Sequence, residues 1–374
     1  MKYLFISDIG SPWGGSEELW SQAAKRLKKE GNQVHASIGF FGELHKKTQE
    51  LDNLGIKLLT RKNKINLLFQ KAKNSIPRLE KLKILPETFK HIIKVNPELV
   101  ILSQSSAYSM FREMLFCKAN GFKYISVTQL NSEYSWPNDS NFKDIQNANA
   151  GAEMNYFVSH GNLNLFYRQI GKKLENCKVI SNPFNFKELK EVEWPSEKHY
   201  NLAYVGRLDF SHKGIDILLS AFCNSEWKNR NATLNIYGKG NTELAKSLIK
   251  SLGGGNIVFK GHVDGIQKLW AENHVMVIAS RYEGMPLSVI EAMFCKRPVI
   301  ATDVAGHGEY IVEGETGFLA EASKIDLFSN ALERAWKQRD KWKELGENAF
   351  LKVKQISSSD PVGIFIKEIK RALL

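Results

Sequence analysis

At 374 residues the chain is longer than one hydrophobic core usually organises, and it fits two domains of moderate size. Its 43% hydrophobic and 25% charged residues are the composition of a soluble globular protein. Its longest apolar runs, such as Leu99-Val100-Ile101-Leu102, exclude a membrane-spanning helix, which needs about 20 apolar residues. The net charge of +12 is uneven: residues 1–182 hold 26 Lys+Arg against 16 Asp+Glu, and residues 57–94 hold eleven basic residues against two acidic ones.

In chain order, the first run, Met1-Lys2-Tyr3-Leu4-Phe5-Ile6-Ser7, reads as a strand, because Asp8 interrupts it too soon for the apolar segment of a signal peptide. Residues 16–30 follow with helical spacing, with Leu19, Ala23 and Leu27 on one face. Further strands are predicted near 33–38, 56–59, 98–102, 123–127, 154–158 and 177–180, with helical patterns between them. Apolar strands that alternate with amphipathic helices imply a parallel sheet covered on both faces.

The polar stretch 183–200 is read as a linker, which makes residues 1–182 the first domain. A second series, over 201–356, has strands near 201–205, 232–237, 256–259, 274–279 and 298–301, then charged helices over 324–336 and 340–355. After the break Ser357-Ser358-Ser359-Asp360-Pro361 a last amphipathic helix spans 361–373. Four scattered cysteines (Cys117, Cys177, Cys223, Cys295) suit a reducing compartment and speak against a zinc site or a disulfide framework.

Doubly wound sheets bind ligands at the carboxyl ends of their strands, so chemistry is expected in the loops that follow strands, and two such domains would present those loops to one cleft. Gly14-Gly15-Ser16-Glu17 stands at the first strand-to-helix turn, where glycines let a phosphate approach backbone N–H groups. Alone, the pair equally fits a tight turn with Ser16 as N-cap. Arg207, after Val205-Gly206, and Lys213, in Ser211-His212-Lys213-Gly214, put two cations at one strand-end loop, enough to neutralise a diphosphate without a metal. Glu283-Gly284-Met285-Pro286-Leu287-Ser288-Val289-Ile290-Glu291 brackets a loop and a helix start with two glutamates. Its turn offers free N–H groups, and Glu291 can accept two hydroxyl hydrogen bonds.

Several devices are missing from the sequence. It has no Asp-x-Asp, no Gly-x-Ser-x-Gly and no P-loop. Tyr237-Gly238-Lys239-Gly240 lacks the third glycine of a dinucleotide fingerprint.

The constellation over 201–320 resembles the retaining GT-B glycosyltransferases of family 4, the glycosyl transferases group 1. It comprises Gly206-Arg207-Leu208, Lys213-Gly214, Tyr237-Gly238-Lys239-Gly240, Gly261-His262-Val263, Glu283 with Glu291, and Gly314-Glu315-Thr316-Gly317-Phe318-Leu319. The resemblance implies an α/β GT-B fold, two Rossmann-like doubly wound parallel-sheet domains facing across a cleft, with helix 361–374 packing back on the first. It implies a metal-independent transfer of a hexosyl unit from a nucleotide sugar, a UDP- or GDP-sugar, with no cofactor.

Arg207 and Lys213 would hold the diphosphate, Glu291 the ribose, and Glu283 the transferred sugar. Gly284, Met285, Pro286 and Leu287 would line sugar and phosphate. Gly206, Tyr237 and Gly238 would border the donor, His262 and Val263 would hold the base, and Gly14 and Gly15 would lie beside the diphosphate. Many members carry a histidine near the sugar, and here Gln129 stands in the comparable stretch, with His160 a second candidate for sugar or acceptor contact. Ala305-Gly306 replaces a common Gly-Gly pair.

A glycan or lipid-linked acceptor, a role in polysaccharide, glycan or glycolipid biosynthesis, and a cytoplasmic location follow as expectations. The cations of 57–94, mixed with Leu67, Leu68, Phe69 and Ile76, suit an anionic membrane surface, so the protein would be peripheral on the inner face. They lack the interleaved aromatics of a nucleic-acid surface. A non-catalytic nucleotide-sugar-binding or regulatory protein and a nucleotide-sugar epimerase are alternatives on the same architecture.

Overall fold

The computed structural model describes residues 1–62, 85–184, 191–263 and 265–374. The chain divides into two compact units, Met1–Pro183 with Ser359–Leu374, and Phe184–Ser358.

The sheet of the first unit is built from β1 (Lys2–Ser7), β2 (Gln33–Phe40), β3 (Lys57–Lys62), β4 (Leu99–Gln104), β5 (Tyr124–Thr128), β6 (Met154–Phe157) and β7 (Cys177–Val179). Its order is β3-β2-β1-β4-β5-β6-β7, every pair parallel. Leu4, Ile6, Val100 and Leu102 are fully buried in one core that also takes Met114 and Cys117 from the helix Phe111–Ala119. The last helix, Pro361–Arg371, packs on the first, Glu17–Lys29. Phe365 meets Tyr156 edge-on, the Tyr156 hydroxyl donates to Glu368 Oε2 at 3.0 Å, and Arg26 pairs with Asp360 at 2.8 Å.

The second unit contains β8 (Tyr200–Val205), β9 (Ala232–Tyr237), β10 (Ile257–Gly261), β11 (Val275–Ile278), β12 (Val299–Thr302) and β13 (Gly317–Ala320). They run parallel in the order β10-β9-β8-β11-β12-β13. The two sheets give the chain the GT-B fold class that the sequence motifs imply.

Two features depart from the sequence reading. β13 was not anticipated as a strand, because a four-residue run that starts with glycine shows no periodicity. It is fixed by pairing: a Cβ on Gly317 would fall 2.0 Å from the Val299 carbonyl oxygen. The second half of the expected linker is also part of the second unit. Arg297, 1% exposed, donates to the Glu193 carbonyl at 2.6 Å, and its guanidinium stacks 4.9 Å from the Trp194 ring.

Candidate active site

In the second sheet the strand order reverses between β8 and β11, the place where open α/β sheets leave a crevice at their carboxyl ends. The loop after β8 carries Gly206, Arg207, Asp209, His212 and Lys213, and the loop after β11 carries Ser280 to Pro286. The first loop folds as it does because Asp209 caps the short turn Phe210–Lys213 by accepting from the His212 N–H at 3.0 Å. Gly214 then takes φ +60°, and a Cβ there would lie 1.9 Å from the Ala279 carbonyl oxygen. Only glycine lets the β8 loop lie this close to the end of β11.

The loops are joined by several bonds. The Arg281 N–H donates to the His212 carbonyl at 2.8 Å, and the Arg281 guanidinium grips Asp216 through two bonds of 2.8 and 2.6 Å. At the centre, Lys213 Nζ stands 2.5 Å from Glu283 Oε1, which also accepts from Ser280 Oγ at 2.6 Å. His212 Nε2 is 3.6 Å from Glu283 Oε2, and the His212 ring stacks on Tyr282 with centroids 4.5 Å apart. Glu283 is 6% exposed. Burial opposes its charge, but Lys213, His212 and the hydrogen bonds outweigh it and hold the carboxyl well below the usual range.

Behind the pair a buried chain continues through Thr302, whose Oγ1 donates to the Ser280 carbonyl at 2.5 Å. His307, fully buried, donates from Nδ1 to the Thr302 carbonyl at 2.6 Å, so its proton sits on Nδ1. Its Nε2 has no hydrogen-bond partner among the described residues. Burial lowers its pKa, so the ring is neutral near pH 7.

Glu291 lies in the second turn of the helix Leu287–Phe294. Part of the residue reaches the surface, and no hydrogen bond to its carboxylate occurs among the described residues. Burial alone pushes its carboxyl up to about 7. Such an acceptor, with lone pairs unsatisfied, fits a vicinal diol. Arg207 is exposed, and its guanidinium pairs with no carboxylate among the described residues.

The remaining sequence-predicted residues fall in several places. Gly238, at φ +140°, touches Gly206 so closely that a Cβ would meet its carbonyl oxygen at 1.8 Å. This contact, with the Leu208 N–H bonded to the Lys239 carbonyl at 2.9 Å, makes the Tyr237–Gly240 turn a support for the β8 loop. Tyr237 itself is 3% exposed and its hydroxyl accepts from Asn273 at 2.9 Å, so its side chain belongs to the core rather than to the loop surface. His262 and Val263 follow β10, the sheet edge, and His262 is exposed. Gly284, Met285 and Pro286 are buried, and Leu287 is partly so.

In the first unit, Gly14 and Gly15 accept the first N–H bonds of the opening helix, from Glu17 at 3.0 Å and Glu18 at 3.3 Å, and Ser16 forms no capping bond. Gln129, 6% exposed, directly follows β5; its Oε1 accepts from Asn182 at 2.9 Å and its Nε2 has no partner among the described residues. His160 is the exposed first residue of the helix His160–Ile170, whose cap is Ser159. Of the basic stretch 57–94, residues 63–84 lie outside the described residues.

Sequence reasoning gave no role to His212, Ser280, Arg281 or His307. His212 could have been noticed as the neighbour of Lys213. Ser280 and His307 are drawn in only by strand pairing and loop geometry, which leave no spacing signal.

Residues 199–338 match the family described as glycosyl transferases group 1. The chain is 33% identical over 156 residues to the poly(ribitol-phosphate) alpha-N-acetylglucosaminyltransferase of Staphylococcus aureus, covering 41% of this chain and 31% of that protein. It is 29% identical over 182 residues to the uncharacterized glycosyltransferase MJ1178 of Methanocaldococcus jannaschii, covering 48% of this chain and 50% of the relative. The chain spans about half the length of the first curated relatives it matches. Among solved structures, Anabaena Alr3699/HepE in complex with UDP is similar over 100% of this chain and 99% of that one, with TM-score 0.71 and 18% identity. The chain therefore has a GT-B fold whose second unit carries, over residues 199–338, the sequence pattern of the group 1 glycosyl transferases.

Proposed function

We propose that the chain is a retaining, metal-independent glycosyltransferase of family 4 that moves a hexosyl unit from a UDP- or GDP-sugar to a hydroxyl of a glycan or lipid-linked acceptor, in polysaccharide, glycan or glycolipid biosynthesis. The observation that carries the reading is the joining of the β8 and β11 loops through Lys213 and Glu283 at the reversal of the sheet, with Arg207 in the first loop and Glu291 on the helix that follows the second. The similarity to a UDP-bound structure and to an enzyme named for N-acetylglucosaminyl transfer supports a uridine nucleotide as the first donor to try.

Departure of the nucleoside diphosphate develops negative charge on phosphate oxygens. Lys213 and Arg207 would meet that charge, together with the free N–H groups at the start of the helix Leu287–Phe294. Glu283 positions Lys213 and, through Oε2, faces the sugar. Glu291 accepts from the ribose hydroxyls. Because the protein supplies the cations, no metal is needed for leaving-group stabilisation. A phosphate oxygen of the departing diphosphate takes the acceptor's proton, so no dedicated base is required.

A thermal-shift screen against UDP, GDP, ADP, CMP and their sugars tests the reading. A ligand that binds only the folded state raises the melting temperature by mass action. A rise with a nucleoside diphosphate, smaller in Glu291→Gln at the same ligand concentration, is expected. No shift with any of them would remove the donor site.

A further inference from the structure

Two aromatic side chains are conspicuously exposed among the described residues, Tyr134 at 69% and Trp136 at 58%, and both stand in one loop. The loop directly follows β5, which ends at Thr128, on the carboxyl side of the first unit's sheet. Large rings left in water forgo the stabilisation that burial would give them, unless a partner covers them.

The loop is not loose. Gln169, 2% exposed, donates to the carbonyls of Ser132 at 2.9 Å and Ser135 at 2.7 Å, and accepts from Asn131 at 2.9 Å. The Tyr108 hydroxyl donates to the Ser135 carbonyl from the loop after β4, where Tyr108 itself is held at φ +52°. Trp136 Nε1 donates to the Glu133 carbonyl at 3.0 Å, and Glu133 pairs with Arg168 at 3.1 Å. Buried amides thus fix the base of the loop while its two rings face solvent, which keeps the ordering cost of binding low.

We propose that Tyr134 and Trp136 form a stacking platform for a sugar ring of the acceptor glycan, which rests on the glycosyltransferase reading above. Sugar rings present faces of C–H bonds with partial positive charge, which match the negative face of an aromatic ring, while their hydroxyls seek polar neighbours. The rim supplies those in exposed Asn138, Asp139 and Ser140. Aromatic rings also occur at membrane interfaces. Around this loop, however, Glu133 is paired with Arg168 and Asp139 is followed by Lys143, so the loop carries no excess of cations to hold it on an anionic bilayer. The platform therefore takes a neutral oligosaccharide.

The test is saturation-transfer NMR with maltohexaose, cellohexaose and chitohexaose on the full chain, on Trp136→Ala and on Tyr134→Ala/Trp136→Ala, with UDP binding measured by thermal shift in parallel. At least one sugar should bind the wild type, about tenfold more weakly to the single variant and undetectably to the double one, with UDP binding unchanged. Equal binding by wild type and double variant, binding of none of the three sugars, or Trp136-dependent sedimentation with phosphatidylglycerol vesicles instead would overturn the proposal. Loss of UDP binding by the wild type would count against the donor site, and reads separately. Both side chains are exposed, so the substitutions leave the core intact, and an unchanged melting temperature verifies it.

Discussion

Lys213 Nζ lies 2.5 Å from Glu283 Oε1, so a cation from the β8 loop is held by a carboxylate from the β11 loop. The side chains are 16% and 8% exposed, which places the pair where removal of one partner strands the other's charge.

Lys213→Met should therefore destabilise the second unit by about 3 kcal/mol, the range for breaking a buried pair. Adding Glu283→Gln should recover part of that loss without restoring turnover. Urea unfolding of the wild type, both single variants and the double variant measures the coupling. Additive losses would show that the pair does not interact in the folded protein.

The same pair gives an acid dependence. The Glu283 carboxyl is held below its unfolded range, so its stabilisation is complete above the unfolded value near 4.5 and is lost as pH falls toward the folded one. Stability of the wild type should fall more steeply below pH 4.5 than that of Glu283→Gln. Identical slopes in acid would contradict this.

Glu291 has the opposite sign. Its carboxyl is raised from 4.5 to about 7, so below pH 4.5 both states are protonated and burial costs nothing, whereas above 7 the folded protein keeps a desolvated charge. That cost is on the order of 3 kcal/mol at pH 8, from about 1.4 kcal/mol per pH unit. Glu291→Gln should raise the melting temperature at pH 8 and much less at pH 5, while weakening UDP binding about tenfold, because a carboxylate accepts hydroxyl hydrogen bonds more strongly than an amide. Wild-type binding should strengthen between pH 6 and 8. Calorimetry at both pH values checks both effects, and a variant that binds UDP as well as wild type would detach Glu291 from the ribose.

Gly214→Ala should destabilise the chain by more than 2 kcal/mol and slow any turnover, because the new methyl would overlap the Ala279 carbonyl at 1.9 Å and φ is +60°. A melting temperature within 1 °C of wild type, about what a few tenths of a kcal/mol produces, would refute the close approach.

The alternation of apolar strands with amphipathic helices was enough to read both parallel sheets, and the motif order over 201–320 pointed to the loops after β8 and β11, which the fold joins through Lys213 and Glu283. Arg207, Lys213, Glu283 and Glu291 stand out in the sequence because they follow strands within motifs of the family that the chain resembles, and of these the fold brings Lys213 and Glu283 into contact. What stayed hidden depends on tertiary contact. Glu283 reads in the sequence as a sugar ligand, and only the folded loops show one of its oxygens holding Lys213. Tyr237 reads as a loop residue from Tyr-Gly-Lys-Gly, but its ring turns back to Asn273. His307 enters the site through the Thr302 carbonyl, a bond with no signature in residue spacing.

The central claim is most directly tested by release of nucleoside diphosphate from the donor picked by the thermal-shift screen, in excess EDTA, by wild type and Lys213→Ala. The wild type should release it at the same rate in EDTA as in magnesium. Lys213→Ala, folded and still binding the nucleotide, should be slower by about 30- to 1,000-fold, as for loss of one preorganised donor worth about 2–4 kcal/mol. Wild-type rates in Lys213→Ala, or release abolished by EDTA, would contradict the account.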